Sequence, residues 1–139
     1  MRIKDFPLAW RWTQSSHAVL PTHVLALVTP LEGAQTDLLY RRGEKVFSDA
    51  AATPSSEHHS ESADATRVWL QKLPVPANDP VFVVWSRDVG ISLPWQTFVA
   101  YWDDFCYPSS DDAFVFYESS NACLAWSHYE VFRYVENAI

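Results

Sequence analysis

The chain has 139 residues, of which 48% are hydrophobic and 19% charged, an ordinary composition for one globular domain that buries a core. Its net charge of −7 is unevenly placed: residues 1–87 hold nine basic and nine acidic side chains, whereas residues 88–139 set Arg133 against eight acids. That field repels phosphate backbones, which excludes nucleic acid as an expected partner, and no stretch approaches the roughly 20 apolar residues of a membrane helix.

The first residues, "MRIKDFPLAWRW", lack the apolar run of a signal peptide, so the expected location is cytoplasmic. Leu8, Trp10 and Trp12 alternate with Ala9, Arg11 and Thr13, the period of a half-buried strand over 8–13. "LPTHVLALV" at 20–28 reads as a turn or two of helix. In "TPLE", Thr29 is placed as N-cap, Pro30 as first helical residue and Glu32 as the capping-box acid. The helix that follows carries Leu31, Ala34, Leu38 and Leu39 and is expected to stop at Gly43.

Residues 48–66 contain no aromatic and no large aliphatic side chain, so they are expected to form a mobile loop that stability does not need. His58 and His59 lie in it, adjacent and poorly placed to converge on one metal. A helix is expected near "TRVWLQKL", ending at Pro74.

Two similar units follow, at 81–106 and 113–137. "VFVVWSRDVGISLPWQTFVAYW" and "AFVFYESSNACLAWSHYEVFRYV" both read as strand, turn, strand, helix. Aligned 31 residues apart, Leu93 matches Leu124, Trp95 matches Trp126, Phe98 matches Tyr129 and Tyr101 matches Phe132. The expected fold is therefore a single α+β domain, with an antiparallel sheet built largely from two ββα pseudo-repeats. Helices 94–106 and 127–137 pack on one face of it. At 100° per residue, Trp95, Phe98, Val99, Trp102, Phe105 and Cys106 form one core stripe. Ser127 and Glu130 form a capping box for the last helix, whose stripe is Tyr129, Phe132, Val135 and Ile139 and leaves Tyr134 exposed.

The residues left over define the candidate site. "PWQTFVAYWDDFCYPSSDD" at 94–112 holds four aspartates and no lysine or arginine. Asp103, Asp104, Tyr107, Asp111 and Asp112 are expected to form one exposed patch for a basic partner, with Tyr134 as a further binding residue. Aspartates in the last turn of a helix oppose its dipole, so exchanging Asp104 and Asp111 for asparagine should not lower stability. Cys106 and Cys123 have no metal or redox spacing and read as buried thiols. The chain has three glycines, and no phosphate loop or nucleophile elbow. No catalytic, cofactor or metal residue is assigned, and an enzyme is disfavoured. The alternative is a small enzyme or ligand-binding domain whose aromatic pocket uses His128 and aspartates.

"WRW", "PLEGAQTDLLY", "VFVVW", "PWQTFVAYWDDFCYPSSDD" and "AFVFY" together resemble a bacterial domain-of-unknown-function family, over about two-thirds of the chain and skipping 43–66. That resemblance implies no activity. "LPTHVLALV" and "CLAWSHYEVFRYV" are also similar to the beginning and end of the SMI1/KNR4-like superfamily, many of whose members look like immunity proteins against bacterial toxins. This second likeness implies binding rather than catalysis.

Overall fold

A computed structural model describes residues 2–15, 19–48 and 54–138. In chain order its helices are α1 (Trp10–Thr13), α2 (Thr22–Leu25), α3 (Gly33–Ser48), α4 (Ala63–Gln71), α5 (Trp95–Ala100) and α6 (Trp102–Phe105). The strands are β1 (Thr29–Pro30), β2 (Ser56–His59), β3 (Pro80–Val84), β4 (Gly90–Pro94), β5 (Ala113–Tyr117), β6 (Cys123–Ser127) and β7 (Val131–Val135). The fold is α+β: the strands form one seven-stranded sheet in the order β1-β4-β3-β5-β6-β7-β2, antiparallel at every pairing.

Period-2 alternation sorts the central strands into two cores. Val81, Val83, Val115 and Leu124 point to the larger core, where they meet Trp12, Leu70, Phe98, Phe105 and Phe132. Phe82, Val84, Phe114, Phe116 and Cys123 point the other way, to Leu39, Tyr40 and Phe47 of α3. Helices thus cover both faces of the sheet, not one. Both faces of β3 and β5 are apolar in the sequence, and a one-sided sheet would have left Phe82 and Phe116 in water.

Several local expectations are corrected. Residues 10–13 are helical, because burial falls on Ala9 and Trp12, three apart, and the Thr13 hydroxyl donates to the Ala9 carbonyl at 2.8 Å. Thr29 and Pro30 are an edge strand on β4, and α3 begins at Gly33. Gly43 does not stop that helix. It lies within it, where a side chain would overlap the Phe114 ring.

Of the expected loop, residues 49–53 lie outside the described residues, as does Ile139. The rest is ordered: β2 pairs with β7, and Ser62 caps α4 by accepting from the Ala65 N–H at 3.1 Å. His58 anchors this edge in place of an aliphatic residue. Its ring stacks on Trp69 at 5.2 Å and its Nε2 lies 3.0 Å from the Thr66 hydroxyl.

The expected helix 94–106 is divided at Tyr101, whose φ of −122° and ψ of 28° separate α5 from α6. The expected helix 127–137 is a turn followed by β7. Ser127 and Glu130 close that turn, with Glu130 at φ 67° and its N–H donating to the Ser127 carbonyl at 2.8 Å. The second unit is therefore βββ where the first is ββα. Val131, Phe132, Tyr134 and Val135 are β-branched or aromatic, and their alternation buries Phe132 and Tyr134.

Candidate functional site

Within the acidic stretch 94–112, α6 runs out of helical partners at Phe105. Its carbonyls and those just beyond are taken by indoles from three distant elements. Trp12 Nε1 donates to the Asp104 carbonyl at 2.9 Å, Trp85 Nε1 to Phe105 at 3.0 Å and Trp126 Nε1 to Tyr107 at 3.1 Å. Carbonyls at a helix end need such donors, and a tryptophan supplies one while filling the core with its ring. Much of the tryptophan in this chain serves to pin this segment.

Beyond it the chain turns through Ser109, at φ 69°, whose N–H donates to the His128 carbonyl at 3.0 Å. Asp111 then returns under Tyr107. Its carboxylate accepts from Arg11 Nη1 at 2.6 Å, Arg11 Nη2 at 2.8 Å and the Tyr107 N–H at 2.9 Å. Arg11 also lies 4.1 Å from the Tyr107 ring centroid and 5.6 Å from that of Trp10, a cation held against two aromatic rings.

The six expected binding residues fare differently. Asp111 is 6% exposed and belongs to the scaffold, so it is not part of an exposed patch. Tyr134 is 3% exposed, packed at 6.2 Å from Tyr117 in the sheet, and is no surface residue. Tyr107 is half-buried, one ring face covered by Arg11. Asp103 is exposed and 3.9 Å from Arg67 of α4. Asp112 is exposed and turned to the β6–β7 turn, accepting from the His128 N–H at 2.9 Å with its Oδ1 3.0 Å from His128 Nδ1. Asp104 is half-buried. Desolvation, and then the neighbouring Asp103, push its carboxyl up to about 6, against a smaller opposing pull from Arg67. Because α6 is a single turn, Trp102–Phe105, Asp103 and Asp104 lie in its first and its last turn alike, and no long helix stands behind them to build the opposing dipole that was expected.

Two exposed aromatic residues were missed by the sequence reading. Tyr129 is 77% exposed, lying 4.1 Å between centroids from His128, and Trp10 is 40% exposed. Arg11 gave no signal because its partner is 100 residues away. A cleft of about 270 Å³ opens beside it, walled by Leu8, Trp85 and Val89 and lined also by Arg11, Asp111 and Asp112. His128 stands outside that cleft. Other clefts of about 280 and 180 Å³ contain none of the four aspartates of the acidic stretch.

Among the described residues, no group of three or more His, Cys, Asp or Glu could hold a metal ion. Cys106 and Cys123 are free and buried, and burial pushes both thiols up, away from nucleophilic character. No helix among the described residues is long and apolar enough to cross a membrane. Compared with known proteins, the chain matches no family model, no curated protein and no solved structure.

Proposed function

We propose that the chain is a cytoplasmic protein-binding module, of immunity or regulatory type, that presents an acidic and aromatic face to a basic partner. The observation that carries the reading is Tyr129, the most exposed large hydrophobic side chain among the described residues. It is held on a hydrogen-bonded turn beside the exposed carboxylate of Asp112. A rigid aromatic next to a charge is the composition of an interface anchor. Asp103, Asp104, Tyr107 and Trp10 extend the face, while Asp111 supports it from below. Rim carboxylates of this kind speed association and select partners more than they add affinity. The acid excess of residues 88–139 disfavours nucleic acid.

One contact favours the runner-up, a small enzyme or ligand-binding domain. A carboxylate on His128 Nδ1 orients an imidazole as acid–base chemistry requires. His128 nonetheless lies on an open turn outside the cleft, which favours the binding reading.

The test is affinity capture from a native lysate, with the wild-type chain and the double variant Asp112→Asn, Tyr129→Ala immobilised side by side. The reading expects a basic protein held by the wild type, released as salt rises, and lost from a variant whose circular dichroism is unchanged. Equal retention by both chains would sink it.

A further inference from the structure

Resting on that binding reading, we infer that the cleft beside Arg11 receives the cationic head of a lysine or arginine side chain from the partner polypeptide. Its walls suit the occupant: Leu8 and Val89 are apolar, for an aliphatic stem. Trp85 adds an aromatic wall, fixed in place because its Nε1 is bonded to the Phe105 carbonyl. Indole is the aromatic surface that best attracts a cation. At about 270 Å³ the cleft has room for one long side chain.

Charge decides the sign of the guest. The Arg11 guanidinium looks like an anion site, but both its terminal nitrogens are committed to Asp111. That pair is neutral, which leaves Asp112, also hydrogen-bonded to the His128 turn, as the charged residue on the cleft wall. Asp88 adds a further carboxylate one hydrogen bond away, through the Ser86 hydroxyl that lines the wall. An anion would meet repulsion there, and a cation attraction.

The guest class follows from the binding reading. A basic residue of a polypeptide partner brings its cation on an aliphatic stem that the apolar walls can cover, whereas a bare ammonium or metal ion brings charge alone.

The experiment uses the full chain, isotope-labelled, with amide-capped lysine as probe and capped norleucine as its uncharged counterpart. The signals read are Trp85 Nε1–H and Arg11 Nε–H. The lysine probe should shift both saturably, with a dissociation constant on the order of 1 mM, and norleucine should shift neither. Asp112→Asn should weaken the lysine response about tenfold. Equal shifts from both probes, or no shift of the indole, would overturn the proposal. Ser110→Trp, a change at an exposed lining residue, separates it from the parent reading. It should block the lysine probe and reduce partner capture. If Ser110→Trp captures partner normally while Tyr129→Ala does not, the face binds but the cleft is not its cation pocket.

Discussion

A carboxylate that is 6% exposed must be paired, and Asp111 accepts from both terminal nitrogens of Arg11 and from the Tyr107 N–H. Asp104, seven positions earlier, has the opposite problem. It is half-buried beside Asp103, with a carboxyl raised from its ordinary 3.8 to about 6. Between those two values the folded chain keeps a proton that the unfolded chain has released. Stability from this group is therefore complete below 3.8 and is lost as pH rises through about 6. Asp104→Asn should raise stability at neutral pH by up to about 1 kcal/mol, the shift being discounted for the group's partial exposure. It should also flatten the stability profile across that window. A lower melting temperature for the variant at neutral pH would show the ionised carboxylate to be stabilising. The two residues explain the limit of reading a site from sequence. Both are aspartates in one acidic run, and only the position of Arg11 separates them.

The helix α3 tests how elements meet. Gly43 lies in its middle, where glycine costs about 1 kcal/mol relative to alanine, yet an added Cβ would overlap the Phe114 ring. Gly43→Ala is expected to lower stability by about 1–3 kcal/mol in urea denaturation, the cost of overpacking outweighing the gain in propensity. A net gain would place α3 farther from the sheet. On the opposite face, Trp102 packs 5.5 Å from Trp126 and 5.6 Å from Phe132, and its Nε1 donates to the Ala63 carbonyl. Trp102→Ala should cost about 3–5 kcal/mol, enough to unfold a marginal domain on heating. The strands of both central hairpins were legible because their apolar runs are bounded by turn residues. The last strand was not. Ser127 and Glu130 carry the letters of a helix cap, and Tyr129, Phe132 and Val135 fit a helical stripe over so short a span. The competing signal was the β-branched and aromatic content of 131–135, which the pairing of β7 between β6 and β2 makes decisive.

At the scale of the molecule, the α+β class and the antiparallel sheet followed from the pattern of runs and turns. The second core and the ordered edge did not, because α3 and β2 draw on partners far along the chain. Deleting residues 56–59 removes the β2 ladder and the His58–Trp69 stack. The melting temperature should fall by at least about 10 °C, in contrast to the neutrality expected of a mobile loop. An unchanged value would mean that β7 forms a sufficient edge by itself. The net charge of −7 places acid on the proposed binding face, but only part of it is free to act there. One aspartate of the adjacent pair builds the face and the other belongs to it. Urea denaturation of Asp111→Asn and Asp112→Asn at neutral pH tests that division most directly. Asp111→Asn should lose about 3 kcal/mol or more, because it strands a buried guanidinium. Asp112→Asn should lose less than about 1 kcal/mol, since an exposed acceptor is replaced by another. Equal losses, or a stable Asp111→Asn, would contradict it.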